Sequence, residues 1–264
     1  MIFNCKKLAE KELKKIKIER PISLGVVQVG EDKVSEVYIK EKRKAAKKVG
    51  VDFNHYKLSE KISPAELKER VLKIKDEGII IQLPIPDNFN TQDILNSIPF
   101  EKDIDGLSEL ALGQAVSGRL DIIPPVAGAV DKILKELDID IKGKKLAVVG
   151  PGRLVGKPTI LYGLEKGATV FSVDENSSDP EKIILTADVV VTGVGQPNLI
   201  TGKMVKEGAV VIDAGVIKTD EGMVGDVDID SVKKKATVTP VPGGVGPLTV
   251  VCLLENLIKR TNGF

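Results

Sequence analysis

The chain is short of aromatic side chains, which make up 3% of its 264 residues and include no tryptophan. That shortage removes the stacking platforms on which a single-strand nucleic-acid binder lays its bases. Neither charge is in excess, with 39 basic against 38 acidic residues, so no overall field points toward nucleic acid or an anionic membrane. The two cysteines, Cys5 and Cys252, cannot build a disulfide framework, and a single histidine, His55, excludes a histidine-based zinc site. No spacing suits a metal, and none is expected. Long apolar runs are missing too, and the first residues turn charged at once, which fits neither a signal peptide nor a membrane span. Together these absences predict a cytoplasmic protein whose partners are small molecules or protein, with no nucleic acid and no membrane among them.

What is present is an ordinary globular composition, 42% apolar and 29% charged. The length suggests about two domains. Residues 4–18 read as a lysine-rich surface helix stopping before Pro21, 23–29 as a strand, 34–49 as a helix closed by Gly50, and 51–58 as a second strand. A capping box with proline at its first helical position, Ser63-Pro64-Ala65-Glu66, opens a helix to about residue 76, and an isoleucine run at 79–81 is a third strand. Strand and helix in alternation argue for a parallel sheet. The chain changes character near 121–127, where two prolines adjoin, and a domain boundary is placed there. Beyond it, strands over 146–149, 168–173, 188–192, 209–213 and 236–239, with helices over 157–165 and 201–207, describe a doubly wound, Rossmann-like sheet. A turn-rich stretch at 218–227 reads as a hairpin. The fold class is α/β with two domains.

Within the 34–49 helix one residue is out of place. Val34, Tyr38, Ala45, Ala46 and Val49 form an apolar stripe, Lys42 sits inside it, and Ser35 and Tyr38 share its face. An ammonium withdrawn from water either gains a polar partner or becomes a usable proton acceptor. The alternative is that the stem covers apolar surface while the head reaches solvent. Gln82 stands at the carboxyl end of the isoleucine strand, where parallel sheets bind ligands, or else merely satisfies the turn's backbone. Asp103 and Asp105, next to Gly106, are either turn chemistry or acceptors for a ligand's N–H groups. His55, inside a strand and without acidic neighbours, reads as structural.

The first strand of the second sheet leads into Gly150-Pro151-Gly152-Arg153-Leu154-Val155-Gly156. This is either a plain strand-to-helix turn or a pyrophosphate cradle one residue longer than the usual fingerprint. Asp174, just past the next strand, is placed for a ribose hydroxyl and favours the cradle. Thr192-Gly193-Val194-Gly195-Gln196-Pro197 adds a second glycine-rich turn. In the stretch 239–250, Gly243 and Gly244 lie between prolines, which suits a rigid loop with its backbone exposed at close range to something. A domain hinge is the other reading, and the flanking prolines oppose it.

At this point the chain resembles the bifunctional methylenetetrahydrofolate dehydrogenase/cyclohydrolases. The resemblance rests on Ser35 with Tyr38 and Lys42, on Ile81-Gln82-Leu83-Pro84, on Asp103-Ile104-Asp105-Gly106-Leu107, and on Pro242-Gly243-Gly244-Val245-Gly246-Pro247, and it covers essentially the whole chain. It implies a folate domain of residues 1–122 completed by a returning helix at 247–264, a nicotinamide-nucleotide domain of 123–246, and a homodimer in one-carbon metabolism and purine biosynthesis. It implies that 5,10-methylene-tetrahydrofolate is oxidised and the methenyl product hydrolysed to 10-formyl-tetrahydrofolate. Lys42 is then central to the hydrolysis, Tyr38 packs on the aminobenzoate, Gln82 bonds Lys42, Asp105 anchors the pterin, and Ser35, Gly243 and Gly244 join the folate site. The dinucleotide falls to Gly150, Pro151, Gly152, Arg153, Gly156, Asp174, Gly195 and Val216.

Two departures from the family pattern stand out. Pro151-Gly152 replaces the serine common after the first glycine, and Asp174-Glu175 stands where polar or basic residues are usual. The family favours NADP, whereas a carboxylate at Asp174 repels a 2′-phosphate and leaves NAD equally open; Arg153, Lys157 and Lys166 are near enough to compensate. Pro124-Pro125-Val126-Ala127 also lacks the cysteine-threonine-proline of relatives, a change without a physical account. Two other functions remain in play: a nicotinamide-dependent dehydrogenase of another small substrate, which leaves the lysine set unexplained, and a non-catalytic dinucleotide-sensing module, which requires no inward lysine.

Overall fold

The computed structural model describes residues 1–220 and 222–262. The chain divides into two compact units, Met1–Lys11 with Pro125–Thr249, and Glu12–Pro124 with the chain from Val250 onward. The first helix, α1 (Cys5–Leu13), is shorter than the expected 4–18. Beyond it Ile16 and Ile18 turn onto the apolar core instead of continuing a surface helix.

In the unit beginning at Glu12, three parallel strands β1 (Ser23–Val29), β2 (Asp52–Leu58) and β3 (Gly78–Ile81) lie in the order β2-β1-β3. Between the first two runs α2 (Lys33–Val49), started by the Asp32 carboxylate accepting from the Ser35 N–H at 2.6 Å and ended by Gly50 in the left-handed region at φ 82. α3 (Pro64–Leu72) begins on Ser63, whose hydroxyl accepts from the Glu66 N–H, and stops short of the expected residue 76 because Ile74 turns inward. The sheet's period of two sorts its residues onto two faces. Leu24, Val26 and Ile80 pack with Ile39, Ile104 and Leu257, while Val27, Ile79 and Ile81 pack with Leu67, Val71 and Leu95. Two shorter helices, α4 (Thr91–Leu95) and α5 (Glu109–Val116), complete the segment before Pro124.

The other unit opens with α6 (Pro125–Glu136) and then alternates β4 (Lys145–Val149), α7 (Gly156–Glu165), β5 (Thr169–Val173), α8 (Pro180–Thr186), β6 (Val189–Thr192) and β7 (Val210–Asp213). The antiparallel pair β8 (Ile217–Thr219) and β9 (Gly222–Val224) forms the expected hairpin and is followed by α9 (Ile229–Val232) and β10 (Thr237–Val238). Five parallel strands in the order β10-β7-β6-β4-β5 make the sheet. Its outermost strand is lined by the chain start, where the Phe3 N–H donates to Val238 O at 2.8 Å.

The helix expected over 201–207 is absent. Backbone groups at its start are committed elsewhere: Ile200 exchanges bonds with Asp226 and Asp228, and the Gly202 N–H donates to the Ser231 hydroxyl at 2.8 Å. A single turn closes at Met204, and nothing propagates it. The last helix, α10 (Val245–Asn262), opens at the proline-glycine loop, and its later residues Val250, Leu253, Leu254 and Leu257 enter the core of the folded unit that begins at Glu12. Among the described residues no helix is long and apolar enough to cross a membrane.

Candidate active site

On α2 the buried positions Ser35, Ile39 and Ala46 define the inward face, and Lys42 falls on it between Ile39 and Ala46. Ile39 was missed in the sequence reading, although its helical spacing from Ser35 and Ala46 gave the signal. The Lys42 ammonium donates to Gln82 Oε1 at 2.9 Å. That bond fixes the carboxamide, because an ammonium has no acceptor to offer. Gln82 Nε2 donates to Leu83 O at 2.8 Å, and the Ser35 hydroxyl donates to the same carbonyl at 3.4 Å. Gln82 is 7% exposed, so both ends of its amide are spent inside the site.

Gln82 occupies this place because its own N–H extends the pairing of β3 by one step, donating to Val27 O at 2.8 Å, before Pro84 ends the strand. The loop from Asp103 assigns its two acids different tasks. Buried Asp103 accepts from the N–H groups of Gly106 and Ser108, each at 2.9 Å, and is turn chemistry. Ile104 is fully buried, and Asn256 on α10 donates to its carbonyl at 2.9 Å. Among the described residues nothing is seen to donate a hydrogen bond to Asp105, the loop's other carboxylate, which is left to interact with the charge of Lys42.

Burial holds Lys42 below the ordinary lysine range, and the charge of Asp105 opposes it. Burial also pushes the Asp105 carboxyl up to about 6, with Lys42 pulling it down and Asp103 adding to the rise. Tyr38, one helical turn before Lys42 and half-buried, is raised by burial as well. A lysine whose hydrogen-bond partner is neutral, and whose nearest countercharge is itself costly to ionise, is poised to lose a proton.

The second group of candidates lies in the unit containing β4. There Gly150, at φ 83, turns the chain, and Gly156 opens α7 so near the turn that a Cβ on it would sit 2.2 Å from Gly150 O. Among the described residues nothing accepts from the N–H groups of Arg153, Leu154, Val155 and Gly156, and the Val155 cap has no side-chain bond. Four successive free donors at a helix start fit the pyrophosphate of a dinucleotide. Asp174 is exposed beyond β5, and its Oδ1 accepts from the Asn176 N–H at 3.0 Å and the Ser177 hydroxyl at 3.1 Å. Those bonds hold it below the usual carboxylate range, so it is charged at neutral pH.

The Gly193–Gln196 turn packs directly against the first one, since a Cβ on Gly193 would sit 2.5 Å from Val155 Cγ1. Its anchor, Asp226, was not singled out in the sequence; nor was Asp213, which accepts from the Gly215, Asp226 and Val227 N–H groups. The one available signal was the glycine beside each acid: Cβ atoms on Gly215 and Gly225 would collide with Asp226 and Asp213. Burial pushes the Asp213 carboxyl up to about 6. Val216 is half-buried, and its carbonyl is 3.9 Å from where a Gly195 Cβ would stand. In the proline-glycine loop, Gly243 has φ 88 and lies against the Lys6 side chain, while Gly244 is packed on Pro240 O. His55 bonds Gln28 Oε1 at 2.9 Å, as a structural strand residue does.

Residues 4–105 match the family described as "Tetrahydrofolate dehydrogenase/cyclohydrolase, catalytic domain", and residues 124–263 its "NAD(P)-binding domain". The bifunctional protein FolD of Mycoplasmopsis synoviae is 41% identical over 263 residues, spanning 96% of this chain and 94% of that protein. The crystal structure of the bifunctional FolD enzyme from Campylobacter jejuni superposes with a TM-score of 0.94 at 35% identity, covering 100% of this chain and 99% of that one. The Trypanosoma brucei enzyme, solved with NADP and an inhibitor, superposes with a TM-score of 0.93 at 31% identity, covering 100% and 97%.

Proposed function

The chain belongs to the tetrahydrofolate dehydrogenase/cyclohydrolase family, and from that premise we propose how its residues divide two consecutive reactions. The first oxidises 5,10-methylene-tetrahydrofolate to the methenyl cation with a nicotinamide dinucleotide; the second hydrolyses that cation to 10-formyl-tetrahydrofolate. The observation that carries the assignment is the Lys42–Gln82 bond, which holds an amine of lowered pKa on a neutral acceptor.

In hydrolysis, water adds to the methenyl carbon and must lose a proton before the ring C–N bond opens. Neutral Lys42 accepts that proton at Nζ and can return it to the departing nitrogen, while Gln82 keeps Nζ in place. Asp105 receives the N–H groups of the pterin, Tyr38 packs on the aminobenzoate, and Ser35 supports the Leu83 carbonyl beside Gln82. Gly243 and Gly244 are assigned to the folate by the family motif they match.

For the oxidation, the dinucleotide supplies the hydride acceptor. The chain's own contribution is positioning rather than proton chemistry. The free N–H groups from Arg153 to Gly156 hold the pyrophosphate beside Gly150, Pro151 and Gly152, and Asp174 faces the adenosine ribose; Gly195 and Val216 line the remainder. Both NADP and NAD suit such a domain, and Asp174 tilts this chain toward measurable use of NAD. We extend the proposal to a homodimer in the cytoplasm, serving pathways that consume formyl groups, such as purine biosynthesis.

The test is spectroscopic. Protein mixed with methylene-tetrahydrofolate and oxidised dinucleotide should build up reduced nicotinamide, and methenyl-tetrahydrofolate alone should disappear by hydrolysis. Absence of both signals with either dinucleotide overturns the assignment.

A further inference from the structure

The two glycine-rich turns at the carboxyl ends of β4 and β6 are built with opposite polarity. In the turn before α7 the N–H groups of Arg153 to Gly156 have no acceptor among the described residues. In the turn after β6 every N–H is already taken: Val194 donates to Asp226 Oδ2 at 2.7 Å, and Gly195 and Gln196 each donate to Oδ1 at 2.8 Å. The Thr192 hydroxyl adds a fourth donor at 2.7 Å, and Asp226 itself is 0% exposed. An internal carboxyl group therefore takes up the donors that this turn could otherwise offer to a ligand.

Peptide planarity sets what remains. Within each peptide unit the C=O points opposite to the N–H, so three N–H groups aimed at Asp226 turn the carbonyls of Gly193, Val194 and Gly195 away from it. Among the described residues nothing donates to these three oxygens. Gly193 and Gly195 are half-buried and Val194 is exposed, so a ligand can reach them.

We propose that the Gly193–Gln196 turn is an acceptor array that recognises hydrogen-bond donors of the dinucleotide's nicotinamide half, with Asp226 as its positioning residue. This rests on the dinucleotide reading above. The donors are of one chemistry with two sources, the carboxamide N–H of nicotinamide and the hydroxyls of its ribose. Asp226 touches neither. It acts only by holding the turn's peptide planes, and the side chain of Asn cannot replace it, because its amide would set N–H against N–H.

The experiment compares dissociation constants of the natural dinucleotide, its 3-acetylpyridine analogue, which lacks the carboxamide N–H, and an analogue without the 3′-hydroxyl on the nicotinamide ribose. The native protein should bind at least one analogue about tenfold more weakly than the parent, the loss expected for one hydrogen bond to an acceptor with no other donor. Asp226→Asn should bind the parent more weakly and lose that discrimination, with KM for the dinucleotide rising more than kcat falls. Should Asp226→Asn fail to fold, Thr192→Val keeps the carboxylate, removes one of its donors, and should reduce the discrimination about twofold to threefold. Equal binding of all three ligands by the native protein, or discrimination that survives in the folded variants, overturns the inference and leaves dinucleotide binding intact. Failure of the native protein to bind the parent dinucleotide overturns the dinucleotide reading and this inference together.

Discussion

The Lys42 ammonium donates to Gln82 Oε1 at 2.9 Å, and the charge of Asp105 acts on the same group. The lysine announced itself by standing in an apolar stripe, yet its partner, 40 positions on, could be assigned only by resemblance, because nothing local links α2 to the end of β3. Of the two acids near Gly106, the sequence left both uses open; the fold gives Asp103 to the turn and sets Asp105 within the field of Lys42, where the proposed function has it meet the pterin. Asp105→Asn should therefore weaken folate binding about tenfold in both reactions, by removing a charge-assisted bond to the pterin, and unchanged affinity would refute the role. The pH dependence follows from the sign of its shift. With a folded-state value of about 6, the carboxylate is present above that pH and is protonated below it, so native folate affinity should fall as pH drops through 6, whereas the Asn variant should show no such step. A titration of binding against pH distinguishes the two. Asp174 is the other residue with a defined consequence. Charged and exposed, it is suited to accept from a ribose diol and to repel a 2′-phosphate, so on the proposed reading Asp174→Ser should move the ratio of kcat/KM values toward NADP by about tenfold. If the ratio stays put, Asp174 does not face the ribose.

Elements were legible where one signal dominated. The strand at 23–29, the 34–49 helix with its Gly50 end, and the hairpin near 218–227 all followed from periodicity and capping, whereas the Asp32 cap emerges only in the fold. Failures occurred where tertiary bonds overrode local pattern. The 201–207 segment has helical composition, but Ile200 and Gly202 are committed to Asp226, Asp228 and Ser231, and those bonds win. Likewise α1 and α3 end early, because Ile16 and Ile74 gain more by entering the core than by extending a solvated helix. The buried acids Asp213 and Asp226 were hard to see for a different reason: most of their partners are backbone N–H groups, and only the nearby glycines Gly215 and Gly225 hint at them. Loop stapling by such an acid is itself testable. Asp103→Ala removes the acceptor of buried N–H groups in the Asp105 loop and should destabilise the protein by about 2–4 kcal/mol, read as a Tm lower by roughly 5–10 °C. A Tm within a degree of the native value would show that the loop is held by Ile104 and Asn256 alone.

Across the whole molecule, the proposed function gives proton chemistry to one reaction and positioning to the other. That division makes the two activities separable by a single substitution. Lys42→Met keeps the apolar stem, removes the amine that bonds Gln82, and leaves the residues offered to the dinucleotide untouched. The measurement is a paired assay on this one variant, following reduction of nicotinamide with methylene-tetrahydrofolate and decay of methenyl-tetrahydrofolate. The account predicts that hydrolysis falls by about 10²–10⁴-fold, the usual worth of a general acid–base group, while hydride transfer stays within about tenfold of native. Parallel loss of both activities in a folded variant would contradict it, by making Lys42 a structural or shared residue.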